Sequence, residues 1–348
     1  MRRFGRALAS AVLAGAVVAG TAGWAAGEGV QAAVTGPPPG ASAWRADSAS
    51  GRPLPDPGTA SPYEVARFFA GLDEAARRDL ARRHPLVVGN LDGAPVALRY
   101  EANRLAVAAT GQLRFAPLAA PGRQVLAFDP RGRGQVAEVV GNLERAVHVA
   151  VVVPGSDNDA ASHDAGRAPH TGPAGMARSL HAAAGGDTAV VAWTGYTTPV
   201  GVGLDAAAGR LAEAGAVRLA RFTAGLDAVG APDPVLFGHS YGSVVCGLAA
   251  RHTDASDLVV FGSPGLRAET AAGLGTRARV WAARGPSDWI ADVPNVAFAG
   301  LGHGADPTSP AFGARAVPAS DVRGHTGYFA PGTQSLAAFA AIATGRAR

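Results

Sequence analysis

Residues 234–250 constrain the fold more than any other stretch. Pro234-Val235-Leu236-Phe237 is a short apolar run of β type, and Ser243 to Ala250 is an apolar run of helical type. Between them stands Gly238-His239-Ser240-Tyr241-Gly242. A strand that turns into a helix this sharply brings backbone against backbone, and glycines on either side of the turning residue supply the room. A serine at such a turn is held out from the end of the strand, which is the setting of a nucleophile elbow. A chain with 47 glycines among 348 residues produces a G-x-S-x-G pattern readily by chance, so its meaning rests on what surrounds it.

The surroundings alternate strands with helices. Val125–Phe128 and Gln135–Val140 flank Asp129-Pro130-Arg131-Gly132-Arg133-Gly134, a hairpin turn signal. Ala146–Val153 is a continuous apolar run, as expected of a strand buried on both faces. A long loop and a helix near Pro173–Ala184 follow, then a strand at Thr188–Trp193 and helical pattern over Asp205–Val229, interrupted by Gly209, Gly215 and Gly225. After the elbow come strands at Leu258–Phe261, Ala278–Ala282 and Val296–Ala299, and a last helix at Thr333–Thr344. An antiparallel pair, then a parallel sheet covered on both faces, an elbow mid-sheet and a closing helix give the α/β-hydrolase order. No internal repeat is present.

Residues 116–348 hold this expected α/β-hydrolase domain. Residues 61–115 read as a small helical segment packed on it: Ser61-Pro62-Tyr63-Glu64 has a cap residue, Pro at the first helical position and Glu three residues after Ser61. Val65, Phe68, Phe69 and Leu72 follow at helical spacing, and Asp73 opens a second helix through Leu80. Val87-Val88-Gly89-Asn90-Leu91-Asp92-Gly93 reads as a loop before a helix over Val96–Ala109. Residues 33–60, rich in Pro, Gly and Ala, read as a linker. Residues 1–32 read as a secretory signal or an uncleaved membrane anchor, with Arg2, Arg3 and Arg6 before the uncharged stretch Ala7 to Ala26 and a small-x-small cleavage pattern at Val30-Gln31-Ala32. The chain is therefore expected to be secreted or anchored outside the cytoplasm.

Composition removes other classes. The net charge of +4 includes three arginines and one glutamate of the leader, so about +2 remains without it. There is no lysine, and no basic run with interleaved aromatics, so no nucleic-acid partner is expected. Cys246 is the only cysteine and excludes an intrachain disulfide; in its apolar helix it reads as a buried structural residue. His148, His163, His170 and His181 have no tight ligand spacing, so neither a metal nor another cofactor is expected.

A serine nucleophile needs a histidine base, and the histidine needs a carboxylate to fix its tautomer. In this fold the acid follows the strand at Ala278–Ala282, where Asp288 is the first acid of Arg284-Gly285-Pro286-Ser287-Asp288-Trp289 and Asp292 the competitor. The histidine follows the last strand, and spacing leaves both His303 and His325 open. His239 is set aside as base because neighbours of an elbow serine point away from it. Two donors are needed for the oxyanion: the backbone N–H of Tyr241, and that of Ser156 in the loop Pro154-Gly155-Ser156-Asp157 after the strand ending at Val153. The Tyr241 side chain either lines the acyl site or packs beneath the elbow. Ser263, in Gly262-Ser263-Pro264-Gly265, reads as a turn or cap residue. The loop 155–172 is long enough to act as a lid or to be plain solvated loop.

Taken together, Gly-His-Ser-Tyr-Gly-Ser at the elbow, Val88-Gly89-Asn90-Leu91-Asp92-Gly93, Val151-Val152-Val153-Pro154-Gly155, Gly262-Ser263-Pro264-Gly265, Ser287-Asp288-Trp289-Ile290 and His325-Thr326-Gly327-Tyr328-Phe329 resemble the actinobacterial α/β-hydrolase family DUF1023. The resemblance spans roughly residues 61–345. It implies an α/β-hydrolase fold and a Ser/Asp/His triad without a settled substrate, and it turns the choice of histidine to His325. The expectation is a serine hydrolase acting on a small-molecule or lipid-like ester, with Ser240, His325 and Asp288 as triad. Amide or peptide cleavage by the same triad, and a non-catalytic binding protein of this fold, are the alternatives.

Overall fold

The structure, a computed structural model, describes residues 30–49 and 51–347. The expected leader lies outside the described residues except for residues 30–32. Among the described residues no helix is long and apolar enough to cross a membrane.

Among the described residues the α-helices α1 (Ala41–Ala46), α2 (Pro62–Ala70), α3 (Glu74–Arg83), α4 (Pro85–Asn90) and α5 (Val96–Ala109) precede the sheet. Ser61 and Glu64 form the capping box that opens α2, and Asp73 caps α3 through the Ala76 N–H. Val65, Phe69, Leu80, Val88 and Leu98 bury one shared core. Two stretches differ from the sequence reading. Residues 33–60, read as linker, contain α1, whose Trp44 is fully buried in that core and donates from Nε1 to the Pro55 carbonyl at 2.7 Å. Residues 87–90, read as loop, belong to α4, where Gly89 lies against Asn103, whose amide oxygen would stand 2.1 Å from a Cβ there. Asn103 Nδ2 in turn donates to the Gly89 and Val125 carbonyls, both at 3.0 Å, fastening the helices to the first strand.

The sheet opens with β1 (Val125–Asp129) and β2 (Gln135–Val140), an antiparallel hairpin. β3 (His148–Val153), α6 (Gly172–Ala184), β4 (Thr188–Thr194), α7 (Leu204–Ala207), α8 (Arg210–Ala228), β5 (Val235–His239), α9 (Tyr241–Ala249) and β6 (Asp257–Phe261) follow. Then come β7 (Gly265–Ala268), β8 (Arg279–Ala283), β9 (Ala297–Phe298), β10 (Leu301–Gly304), β11 (Arg315–Ala316) and α10 (Gln334–Ala343). The main sheet has the order β1-β2-β4-β3-β5-β6-β8-β11, parallel from β4 onward. Along β3, Val149, Val151 and Val153 join the core beneath α8 and α9, while Ala150 and Val152 join the core beneath α6 and α10. That two-sided burial is why the strand reads as an unbroken apolar run.

The edge beyond β8 differs from expectation. Residues 297–298 form a strand outside the main sheet, in the separate set β7-β10-β9, and the last position of the main sheet is taken by β11. The break between α7 and α8 falls at Gly209, where a Cβ would meet the Arg267 guanidinium at 2.2 Å.

The loop 155–172 is tied down over the hairpin. His163 is fully buried and its Nε2 lies 3.1 Å from Glu138 on β2, while Arg123 donates to Glu138 and to Asp164 at 2.7 Å. Burial pushes the Glu138 carboxyl up, but the bonds to His163 and Arg123 outweigh it and hold the group below the usual carboxylate range. A carboxyl so lowered stabilises the fold above its unfolded pKa of about 4.3, and that contribution is lost as pH falls through the lower folded value. Melting temperatures of wild type and Glu138→Gln are expected to differ most above about pH 5 and to converge as pH falls through the lowered folded value. A gap independent of pH would contradict the pairing.

Candidate active site

Ser240 sits where β5 meets α9, with φ 53° and ψ −129°. A non-glycine residue in this region is strained by about 1–3 kcal/mol. The glycines around it are required by contact: a Cβ at Gly238 would lie 2.7 Å from Ser243 Cα, and one at Gly242 2.2 Å from the Val153 carbonyl oxygen. Gly155 stands opposite, where a Cβ would come within 2.6 Å of Ser240 Cβ. The turn is braced from below. The Ser240 N–H donates to the Phe261 carbonyl at 3.1 Å, and Ser243 Oγ donates to the Ser240 carbonyl at 2.6 Å and meets Ser263 Oγ at 2.6 Å. Ser263 thus belongs to the support of the elbow, and its hydroxyl also accepts the Gly265 N–H.

Asp288 follows β8 and is almost fully buried. Its Oδ1 accepts from His325 Nδ1 at 2.8 Å and from the Ile290 N–H at 3.0 Å; its Oδ2 accepts from the Tyr328 hydroxyl at 2.5 Å. Burial raises the Asp288 carboxyl, but the bonds from His325, Tyr328 and Ile290 prevail and leave it below the usual range, so it is ionised at neutral pH. A carboxylate on Nδ1–H fixes the tautomer and leaves His325 Nε2 as an acceptor. The pair fits closely over β6: a Cβ at Gly262 would stand 3.0 Å from Asp288 Oδ2 and 3.1 Å from His325 Cε1. The Trp289 ring packs 4.5 Å from that of His325.

His325 and His303 therefore have different settings. His303 lies on β10, buried, and donates from Nε2 to the Ala206 carbonyl at 2.7 Å; its ring meets Tyr241 edge-on. Burial lowers it to about 4, so it is neutral. Asp292 is exposed at the end of the short turn after Asp288. The structure brings together Asp288 and His325, and leaves His303 and Asp292 outside that pair.

The two expected oxyanion donors flank the elbow. Tyr241 is the first residue of α9, so its N–H has no intrahelical acceptor. Its side chain turns beneath the elbow, where the hydroxyl donates to the Ala208 carbonyl at 2.8 Å and accepts the Ala212 N–H at 3.1 Å. Ser156 follows Gly155, and its N–H makes no hydrogen bond among the described residues. Its loop is fixed by the Asn158 amide, which donates to the Gly155 and Ser156 carbonyls, and by the Tyr196 hydroxyl on the Pro154 carbonyl at 2.7 Å. Among the described residues no group of His, Cys, Asp or Glu is arranged to hold a metal ion, and Cys246 is buried with its thiol pushed up by burial.

His239, set aside as base, has a role that the sequence reading did not assign. His239 is buried, stacks on Phe261, and donates from Nε2 to the His325 carbonyl at 2.7 Å. Burial lowers it to about 3, so it stays a neutral donor. It fixes the backbone that carries His325. His239→Ala is expected to lower kcat about 10- to 100-fold with KM little changed. His239→Gln, which keeps a donor, should recover part of the loss. Equal kcat in all three proteins would contradict the positioning role.

The strand order, the elbow after β5, the acid after β8 and the histidine before the closing helix define the α/β-hydrolase fold. A family model described as Alpha/beta hydrolase matches residues 129–298. Two uncharacterized proteins of Mycobacterium tuberculosis, MT2140 of strain CDC 1551 and Rv2079 of strain H37Rv, are each 30% identical over 378 residues, covering 84% of this chain and 57% of theirs. The chain thus spans little more than half the length of these relatives. Solved structures with a loose likeness include an a/b serine hydrolase without lid from Xanthomonas campestris (18% identity, TM-score 0.39, 65% of this chain and 95% of that one). An esterase domain from Rhodothermus marinus has 14% identity and TM-score 0.36, over 62% of this chain and 92% of that one.

Proposed function

We propose that this chain is a serine hydrolase that cleaves an ester or related acyl bond through Ser240, His325 and Asp288. The observation that carries the reading is the buried Asp288 carboxylate on His325 Nδ1, in the same fold that sets Ser240 on a strained elbow. Ser240 Oγ attacks the carbonyl carbon while His325 Nε2 takes its proton. The oxyanion is held by the N–H groups of Tyr241 and Ser156. The tetrahedral species collapses, His325 returns the proton to the leaving alkoxide, and an acyl group remains on Ser240. A water then gives up its proton to His325 and attacks the acyl carbon; as the second tetrahedral species collapses, His325 returns that proton to Ser240 Oγ and the acid is released.

Hydrolysis of a short-chain aryl ester by purified variants tests this. His325→Ala is expected to lose about 10³-fold or more in kcat, and His303→Ala to keep activity wherever it remains folded. Loss in His303→Ala alone would overturn the assignment. The resemblance to DUF1023 belongs to the same proposal, as does action outside the cytoplasm. Gln31 donates from its backbone to Asp205 and from its side chain to the Thr198 carbonyl, and accepts the Val200 N–H. These bonds favour a mature chain that retains Gln31, and N-terminal sequencing of exported protein checks it. A mature end after Ala32 would contradict it.

A further inference from the structure

Two stretches beside the site carry no Asp, Glu or Arg: residues 194–204 and 293–304. Thr194, Gly195, Tyr196, Thr198 and Pro199 are buried, and the side chains that reach solvent on the two stretches are mostly apolar. Val200, Val202 and Leu204 stand out on the first stretch, Phe298 (81% exposed) and Leu301 on the second, with Trp289 (44% exposed) between Asp288 and the second stretch.

The second stretch packs on the segment that directly follows the first. Ala208 bridges Leu301, and His303 on β10 is bonded to Ala206 on α7. Phe298 is raised on the hairpin β9–β10, whose two-residue turn has Ala299 at φ 50° and Gly300 at φ 83°, as a type I′ turn requires. Arg267, the cation next to the hairpin, turns its Nη2 to the Gly300 carbonyl at 2.9 Å. Both ends of the surface are anchored on the reaction machinery. At one end Trp289 packs on His325. At the other, the Gly201 N–H donates to Asp157 Oδ1 and the Asp157 N–H to the Pro199 carbonyl, each at 2.8 Å, next to Ser156.

We infer that this rim receives the aliphatic chain of the substrate, and that the enzyme takes a lipid-like ester from an aggregated lipid surface. The inference rests on the hydrolase reading above. Burying a Phe or Leu side chain against hydrocarbon is favourable, and apolar side chains clustered in the open mark an interaction surface. The exposed apolar side chains suit methylene chains, and Arg267 beside the hairpin is already engaged by the Gly300 carbonyl and by Glu213. Continuity with His325 places the chain where an acyl group on Ser240 would extend, whereas a protein seated there would close the site.

The test pairs kinetics with binding. In wild type, kcat/KM is expected to rise about tenfold or more from an aryl acetate to the octanoate. Phe298→Ser with Leu301→Ser should abolish that rise while acetate turnover stays within about twofold. Ser240→Ala should co-sediment with phosphatidylcholine vesicles, and the same protein with both rim substitutions should not. A rise that survives the rim substitutions, acetate lost in step with octanoate, or a self-associated protein made monomeric by those substitutions without any vesicle binding would each overturn the inference. Absence of Ser240-dependent turnover of every ester overturns the hydrolase reading instead, and the vesicle arm then still reads the rim.

Discussion

Asp288→Asn is expected to lower kcat on an aryl ester by about 10⁴-fold with the fold retained. The carboxylate has three donors aimed at it: His325 Nδ1, the Ile290 N–H and the Tyr328 hydroxyl. Asparagine has the same shape but offers one oxygen and one NH₂. If the oxygen stays with Tyr328, the NH₂ faces His325 Nδ1 and drives the ring proton to Nε2, the atom that must accept the Ser240 proton. If the amide flips, the NH₂ faces the Tyr328 hydroxyl, which already takes the Gly285 N–H at 3.0 Å. Stopped assays over a pH series read the effect, with thermal unfolding as the control for folding. A loss of less than about tenfold in a folded protein would remove Asp288 from the machinery.

Gly242→Ala is expected to cost more than about 3 kcal/mol of stability, or to prevent folding. The added methyl carbon would stand 2.2 Å from the Val153 carbonyl oxygen and 2.6 Å from that of Pro154. Both are backbone atoms at the end of a central strand, paired on each side, so relief requires moving β3 or the first turn of α9. Either shift also separates the N–H groups of Tyr241 and Ser156 from Ser240. Gly186→Ala is the matched control: no heavy atom lies within 4 Å of its Cβ position, and its effect should stay within about 1 kcal/mol. Denaturant midpoints compare the two, and equal midpoints would contradict the packing at the elbow.

The sequence carried the parts of the fold that rest on strong local chemistry. The capping box at Ser61 and Glu64, the continuous valines of β3 and the glycines around Ser240 each have a single good structural solution, and the structure has them. What stayed hidden depends on distant partners. Residues 315–316 form a strand only because the edge of β8 is open to them, and both are exposed, so no apolar pattern marks them. Trp44 lies in a proline-rich stretch that reads as linker until the pocket between α2 and α5 is known. Gly89 weakens a helix in isolation, yet Asn103 occupies the place of its side chain. At the site, chain order pointed to an acid and a histidine after the elbow, but spacing left two histidines open. A 2.8 Å bond to Asp288 distinguishes His325, and a bond to Ala206 accounts for His303. The role of His239 was illegible because its partner is a backbone carbonyl 86 residues away.

The most direct measurement is covalent labelling by a fluorophosphonate, read by mass spectrometry of the peptide that contains Gly238–Gly242. The wild-type protein is expected to carry one adduct on Ser240, His325→Ala to label much more slowly, and Ser240→Ala not to label at all. A wild-type protein that takes no adduct, or takes it on another residue with Ser240 unmodified, would contradict the assignment of Ser240 as nucleophile.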